Sequence, residues 1–212
     1  GRQAHRERGQ TQISTHRGLL VSARRPAHRC VLADRQTSER RVAAGYRRRA
    51  VPGQGMSAPE LAPIPEADKS ILADDLQHYI SELAPYDCTL APQGPYEYPG
   101  FDNLWSERSL FWAMLDGEIA GFAIVHSEDG VTDMSDFYIR PAYRRRGVGF
   151  DFAREVIARF PGRWTLTQYK AKTDSIAFWR AVIGERPFTK EDYVSVNGNK
   201  RVKQSFYSLR ND

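Results

Sequence analysis

The sequence has little cysteine and no long hydrophobic run. Its 212 residues include two cysteines, Cys30 and Cys88, which are too few for a disulfide framework and lack the C-x-x-C spacing of a zinc site. The longest apolar stretch, residues 119–125, is far shorter than the roughly 18 to 20 residues of a membrane-spanning helix. We therefore expect a soluble, cytoplasmic protein with free thiols, without a bound metal and without a membrane partner.

Lysine is absent from the first 55 residues, and Tyr46 is their only aromatic residue. The segment carries thirteen arginines against three acidic residues, and its few aliphatic residues follow no regular period. Such a composition cannot bury enough apolar surface to offset the entropy lost on folding. We predict that residues 1–55 form a disordered, Arg-rich leader.

Three interpretations of this leader stay open: a targeting peptide, an arm that binds nucleic acid, or sequence upstream of the true start that is not part of the native protein. Met56 favours the last, because the composition changes abruptly there and small residues and a proline follow it. Residues 56–212 carry 18 basic against 23 acidic residues, a net charge of −5. We expect them to form a single domain for which nucleic acid is an unlikely partner.

The pattern of residues 56–212 predicts an α/β (α+β mixed) fold. A helical period of apolar residues ends before Pro85, and Asp116-Gly117 joins two apolar runs as in a tight hairpin. A third strand over residues 131–139 precedes a helical pattern from residue 150 to 160. The remaining predictions are a strand at 164–169, a helix at 175–183, and strands near 193–196 and 202–209. We expect a mixed, mostly antiparallel sheet of six to seven strands flanked by about four helices.

Residues 144–149, Arg-Arg-Arg-Gly-Val-Gly, join a predicted strand to a predicted helix. Glycine lets a backbone approach a ligand closely, and the unpaired N–H groups of a first helical turn favour an anion. The segment lacks the Gly-Lys-Ser/Thr of a Walker loop and the earlier glycine of a dinucleotide fingerprint. It predicts a phosphate cradle, with an ordinary turn bearing solvated arginines as the alternative.

At these residues the sequence resembles the GNAT superfamily of acetyl-CoA-dependent N-acetyltransferases. Arg144-x-x-Gly147-x-Gly149 is similar to the family's acyl-CoA pyrophosphate signature, residues 136–139 to the strand that leads into it, and residues 175–179 to its second CoA-contacting helix. The resemblance extends from about residue 66 to residue 209. Residues 161–164 and 177–183 are also similar to a bacterial group of predicted acetyltransferases with unassigned substrates.

The resemblance implies a GNAT-like domain over residues 56–212 with acetyl-CoA as co-substrate and no metal. The pantetheine arm would insert where the strand at 131–139 separates from the strand at 164–169. The backbone of Phe137 to Ile139 would bind the pantetheine amides, and the N–H groups of Arg145 to Phe150 would bind the pyrophosphate. The expected cofactor-binding residues are Phe137, Ile139, Arg144, Arg145, Arg146, Gly147, Val148, Gly149, Phe150, Ser175, Phe178 and Trp179.

The second CoA-contacting helix departs from the family pattern. Many members have an Asn at its start and a Tyr that can protonate the leaving thiolate, whereas here Lys172-Thr173-Asp174 supplies no Asn and Trp179 replaces the Tyr. An indole cannot serve as that acid. The hydroxyl of Tyr138 or Tyr169, or water, is expected to take its place.

The base that deprotonates the acceptor amine is expected to be Asp136, which shares a strand face with Tyr138. These two are the predicted catalytic residues. The alternative for Asp136 is a carboxylate that is paired with an arginine or faces solvent. Glu97, Asp102 and His126 are weaker candidates, and His78 is expected to lie at the surface.

Residues 85–107 combine five aromatic and four acidic residues with no lysine or arginine. By resemblance this loop builds the acceptor pocket, where carboxylates and aromatic rings suit a cationic amine. The expected substrate-binding residues are Tyr96, Glu97, Asp102 and Trp105. The alternative is that the aromatic side chains pack over the sheet while the acids are solvated.

Together these features predict an N-acetyltransferase that moves an acetyl group from acetyl-CoA to a small, cationic amine by direct attack in a ternary complex. Two alternatives stay open: a catalytically silent GNAT-fold protein that binds CoA or regulates, and a nucleic-acid-associated protein that uses the leader. A homodimer formed through the last two strands is also possible.

Overall fold

The structure, a computed structural model, describes residues 58–209. The predicted leader over residues 1–55 lies outside the described residues. The described chain forms seven strands, β1 to β7, with these bounds: Glu60–Pro63, Ser109–Leu115, Glu118–Glu128, Val131–Ile139, Gly162–Tyr169, Phe188–Val194 and Lys200–Ser208. Its four α-helices, α1 to α4, are Lys69–Leu83, Leu104–Glu107, Val148–Arg159 and Thr173–Ile183. This arrangement confirms the predicted fold class.

The strands form one sheet in the order β1-β2-β3-β4-β5-β7-β6. Among the described strands, β4 and β5 are the parallel pair, joined by the crossover helix α3. The predicted hairpin turn is present, with Asp116 at φ 53° and Gly117 at φ 82°, the left-handed conformation that a two-residue turn requires. No helix within residues 58–209 has the length and apolarity needed to cross a membrane.

Two strands differ from the sequence-based prediction. Strand β1 was not predicted, because it is only four residues long and ends in Pro63; a proline is tolerated there since β1 lies at the edge of the sheet. Strand β6 begins at Phe188, well before the predicted start near residue 193. Its charged residues 190–192 hid the strand pattern, and they are tolerated because β6 is the opposite edge strand.

The sheet separates two apolar clusters. One face packs against α3 and α4 through a cluster that includes Phe152, Val156, Trp164 and Leu166. The other face packs against α1 through Leu72 and Leu76, together with strand residues such as Phe122 and Ile124. Alternate residues of β4 therefore lie on different sides of the sheet: Phe137 and Ile139 pack with the first cluster and Tyr138 with the second.

Strands β4 and β5 pair over only three positions, Val131↔Arg163, Thr132↔Trp164 and Asp133↔Thr165. Beyond Asp133 they diverge, as the resemblance implied. A β-bulge lies at the start of the divergence, since Val125 pairs with Met134 and Ile124 with Asp136, which leaves Ser135 between the two pairs. The open edge of β4 beyond the bulge is the main feature that the fold offers to a ligand.

A substitution at Gly121 tests how closely β3 packs against β4. A Cβ at this position would lie 2.1 Å from the carbonyl oxygen of Tyr138 and 2.9 Å from Cα of Ile139. Because both are backbone atoms, we expect Gly121→Ala to lower the free energy of unfolding by about 2 kcal/mol, measured by urea denaturation. The control Thr189→Ala, on exposed β6, should change it by less than about 0.5 kcal/mol. Equal stability of Gly121→Ala and wild type would contradict this packing.

Candidate active site

The turn between β4 and α3 presents free backbone N–H groups. Arg145 and Gly147 have φ of 61° and 85°, so the chain turns sharply before the helix begins. The N–H groups of Phe150 and Asp151 donate to the Gly147 carbonyl at 2.9 and 3.0 Å. Within residues 58–209, those of residues 145–149 donate to no backbone carbonyl. Such a row of N–H groups at the start of a 12-residue helix is an anion-binding arrangement.

The two glycines of the motif have different roles. A Cβ on Gly147 would make only an ordinary contact, 3.9 Å from the Asp151 carboxylate, so its need for glycine comes from its positive φ. A Cβ on Gly149 would lie 3.1 Å from Cγ1 of Ile139, so this glycine lets α3 pack closely against β4. The sequence motif had suggested that both glycines serve ligand approach, and the structure adds a packing role for Gly149.

The three arginines also differ. Arg144 donates from Nε to the Ile139 carbonyl at 2.6 Å and from Nη2 to Glu82 at 2.7 Å, and its guanidinium lies over the Tyr138 ring. It is therefore engaged with the protein itself. Arg145 and Arg146 are exposed, and the Arg146 guanidinium lies over the Tyr143 ring at 6.0 Å.

On the α3 and α4 side of the divergence, Phe137 lies in an aromatic cluster. Its ring is 5.5 Å from that of Phe152, 5.8 Å from Phe178 and 5.0 Å from Trp179. Trp179 is buried, so its indole is a packing side chain in this cluster. Ser175 is half-buried in the first turn of α4 and bonds through its N–H to the Lys172 carbonyl.

On the opposite side of the sheet, Asp136 follows the bulge and is only 4% exposed. The Tyr98 hydroxyl donates to its Oδ2 at 2.6 Å, and Tyr79 on α1 is a second neighbouring tyrosine. Burial raises the pKa of Asp136 to about 6, although both tyrosine hydroxyls oppose that rise. The charge of Asp133 raises the pKa further, and that of Arg108 lowers it. A buried carboxylate with such a pKa suits a general base near neutral pH.

The two hydroxyls that were expected to protonate the thiolate are buried. Tyr138 packs between Phe122 and Tyr79, and burial above all raises its pKa. The Tyr169 hydroxyl donates to Asp87, and burial together with this hydrogen bond raises its pKa as well. Both changes make these tyrosines weaker acids than tyrosine in water.

Asp87 lies at the start of the predicted acceptor loop and is satisfied internally. Besides Tyr169, it accepts hydrogen bonds from the side chain of Asn199 at 2.8 Å and from the N–H and hydroxyl of Thr89. Burial acts to raise the pKa of Asp87, but these hydrogen bonds together outweigh it and lower the pKa. The carboxylate ties the loop to β5 and to the turn before β7 rather than facing an acceptor.

The predicted substrate-binding residues lie in two places. Tyr96 and Glu97 directly precede Tyr98 in the sequence. Gln77 of α1 holds the backbone of Tyr96 by hydrogen bonds, and Glu97 is exposed. In contrast, Asp102 pairs with Lys69 at 2.7 Å, and the Trp105 indole donates to the Ile64 carbonyl. Lys69 begins α1 about 15 Å along the helix from Tyr79, so Asp102 lies away from this part of the helix. Trp105 is connected to Tyr98 through the ring of Phe101, which lies 5.8 Å from Trp105 and 6.4 Å from Tyr98.

Sequence reasoning missed Tyr79 and Tyr98 as partners of Asp136. Tyr79 counted only as part of the apolar face of a helix, and Tyr98 as one of several loop aromatics. Of the weaker base candidates, His126 lies opposite Asp133 on β3 and is half-buried, while His78 is exposed as expected. Within the described residues, no group of three or more His, Cys, Asp or Glu side chains is arranged to hold a metal ion.

The raised pKa of Asp136 has a consequence for stability. A carboxyl whose pKa is higher in the folded than in the unfolded state stabilises the fold only while it is protonated, so stability falls as the pH rises from about 4 to about 6. We expect Asp136→Asn to be more stable than wild type at pH 8 by up to about 3 kcal/mol and nearly equal to it at pH 4. Urea denaturation at both pH values measures the difference. The exposed Asp74→Asn is the control, and a variant less stable than wild type at pH 8 would contradict the assignment.

Comparisons with known proteins agree with this architecture. A model of the acetyltransferase (GNAT) family matches residues 76–184. The solved structures with a similar fold include the ribosomal-protein-S18-alanine N-acetyltransferase of Escherichia coli, at 15% identity and TM-score 0.51 over 71% of this chain and 94% of that one. An aminoglycoside acetyltransferase in complex with coenzyme A matches at 15% identity and TM-score 0.53 over 71% and 95% of the two chains. An acetyltransferase from Thermus thermophilus matches at 18% identity and TM-score 0.53 over 73% and 99%.

No curated protein sequence is significantly similar to this chain. The family match covers the diverging strands, the turn with free N–H groups, the helix that follows it, and Asp136. With that match extending over half of its length, the chain belongs to the GNAT family of acetyltransferases.

Proposed function

We propose that the protein is an N-acetyltransferase that moves an acetyl group from acetyl-CoA to an amine by direct attack in a ternary complex. The observation that carries the proposal is the buried carboxylate of Asp136 at the point where β4 and β5 diverge, on the strand that leads into an anion-binding turn. Among the structures that share the fold, one is named an alanine N-acetyltransferase and another holds coenzyme A, which supports both the reaction and its donor.

The donor is expected to lie along the open edge of β4. Beyond Asp133 the backbone of β4 has no β5 partner, so its N–H and C=O groups can pair with the pantetheine amides as a further strand would. The free N–H groups of residues 145–149 would hold the pyrophosphate, with Arg145 and Arg146 adding charge. The aromatic cluster around Phe137 then forms the apolar wall on the side of α4.

The acceptor is expected on the opposite side of the sheet. With a pKa near 6, Asp136 is mostly ionised at pH 7 and can accept a proton from an ammonium group. The neutral amine then forms a C–N bond to the thioester carbon, the C–S bond breaks, and coenzyme A leaves as a thiolate. The nitrogen loses its second proton as the amide forms, and this proton passes through water to the thiolate, whose thiol has an ordinary pKa near 8.5. Such a route suits a site where Tyr138 and Tyr169 are weakened as acids.

A small, cationic amine is the acceptor that the local charge favours. Asp133 lies close enough to Asp136 to act on its pKa, and exposed Glu97 lies next to Tyr98 in the loop. Both add negative charge on this side of the sheet, where an ammonium group would be attracted before it is deprotonated.

A second candidate is a GNAT-fold protein that binds CoA without catalysis. It is favoured by Trp179, which fills with a buried indole the position where many family members have a reactive hydroxyl. This candidate shares the donor site of the first but predicts no turnover with any amine.

Binding of acetyl-CoA tests the donor site. We expect the full chain to bind acetyl-CoA in isothermal titration, and Gly147→Val to lower the affinity at least tenfold because valine is strained at φ 85°. The matched control is Gly130→Val, which introduces a similar strain at φ 72° in the β3–β4 turn, where an added Cβ would meet nothing within 4 Å. A wild-type chain that fails to bind at millimolar acetyl-CoA would exclude both candidates.

Turnover separates the two candidates. A thiol-release assay with acetyl-CoA and a panel containing a polyamine, an aminoglycoside and a peptide with a free N-terminus should reveal an acceptor. Asp136→Asn should then lower kcat by about 100-fold or more while the Kd for acetyl-CoA stays within about twofold. The wild-type rate should rise with pH through an acid limb near pH 6. Full activity of Asp136→Asn would rule out this residue as the base.

A further inference from the structure

The segment that carries Tyr98 to Asp136 is fixed at three places. At its start, Asp87 accepts hydrogen bonds from Asn199 and Tyr169. At its far end, Asp102 pairs with Lys69 at the beginning of α1. The loop that carries Tyr98 is therefore bonded to the turn before β7, to β5 and to α1.

The third fixed point lies two residues before Tyr98. The carboxamide of Gln77 accepts from the N–H of Tyr96 at 2.7 Å and donates to the Tyr96 carbonyl at 2.8 Å, so one side chain satisfies both backbone groups of that residue. Gln77 lies two residues before Tyr79 on α1. Helix α1 therefore holds the loop through Gln77 and places the Tyr79 hydroxyl near Asp136. The loop held in this way places the Tyr98 hydroxyl against the same carboxylate.

The surroundings of Asp136 make these hydroxyls important. Four neighbouring groups affect its pKa: Tyr98 on the loop, Tyr79 on α1, Asp133 on β4, and Arg108, which directly precedes β2. Of these four, Tyr98 donates a hydrogen bond, at 2.6 Å, and the Tyr79 hydroxyl also favours the charged carboxylate. A carboxylate that is 4% exposed has little water to replace a lost donor, so each hydroxyl has a large influence on its charge and orientation.

We propose that Tyr98 is a positioning residue whose hydroxyl holds Asp136 in orientation and in the charged state, so that the base is complete only when the Gln77-clamped acceptor loop is seated. This inference rests on the proposed function for its catalytic meaning, but the contact itself can be tested without an acceptor. It gives the acceptor loop a role in the chemistry in addition to its predicted role in binding.

The direct test is the titration of the Asp136 carboxyl carbon by 13C NMR in the full chain, assigned by comparison with Asp136→Asn. A hydrogen bond to the charged form lowers a pKa, so removing it in Tyr98→Phe should move the midpoint upward by about one pH unit or more from its value near 6. Gln77→Ala retains the hydroxyl but frees the loop, and should move the midpoint in the same direction by a smaller amount. Tyr207→Phe, at an exposed position on β7, should leave it unchanged.

An unchanged midpoint in Tyr98→Phe overturns the proposal. Thermal unfolding shows whether each variant is folded. If Tyr98→Phe does not fold, an unchanged titration midpoint in Gln77→Ala overturns the proposal instead. Once an acceptor amine is found, Tyr98→Phe should lower kcat and move the acid limb to higher pH while the KM for acetyl-CoA is retained. A shifted midpoint combined with full activity of Asp136→Asn would refute the proposed base but leave the Tyr98 contact established.

Discussion

The site depends on the early end of the β4–β5 pairing. Adjacent parallel strands normally satisfy each other's backbone groups along their whole length, and buried N–H and C=O groups rarely remain unpaired. Here the pairing stops after Asp133, so the second half of β4 is paired with β3 but has no partner on its β5 side, in the middle of a sheet. The proposed donor site and the position of Asp136 both follow from this gap.

The bulge at Ser135 determines what lies on each side of the gap. In a regular strand, residues two apart point to the same face. Met134 nevertheless packs with the cluster under α3 and α4, while Asp136 accepts a hydrogen bond from Tyr98 on the α1 side. The extra residue changes the phase of the strand, so that the carboxylate lies opposite the aromatic cluster of Phe137. The proposed donor wall and the proposed base therefore lie on different faces of one strand.

The fold was predictable because its signals are local. The Asp116-Gly117 turn, the helical period before Pro85 and the glycine motif at 147–149 each lie within a few residues, and each element appears where its pattern indicated. Strand β1 and the start of β6 were missed because edge strands tolerate proline and charge. The free N–H groups of the turn could also be predicted from the sequence, because they follow from the glycines and from the start of a helix.

The environment of Asp136 was not predictable in the same way. Its partner Tyr98 is 38 residues away in sequence, and Asn199 lies 112 residues from Asp87. No periodicity reports such contacts, because they depend on how the loop folds back over the sheet. The same limit applies to Arg144 and Asp102, whose charges are engaged by Glu82 and Lys69. Residue type alone had suggested that these charges were available to ligands.

The turn over residues 145–149 has a consequence for how the protein responds to its surroundings. Its backbone N–H groups carry no titratable proton, whereas the Asp136 carboxyl on the same strand has a pKa of about 6. Acidification to around pH 6 therefore leaves these N–H groups unchanged while it protonates about half of Asp136. Under the proposed function, a mildly acidic medium would lower the rate of acetyl transfer without weakening the binding of acetyl-CoA, and a return to neutral pH would restore the rate.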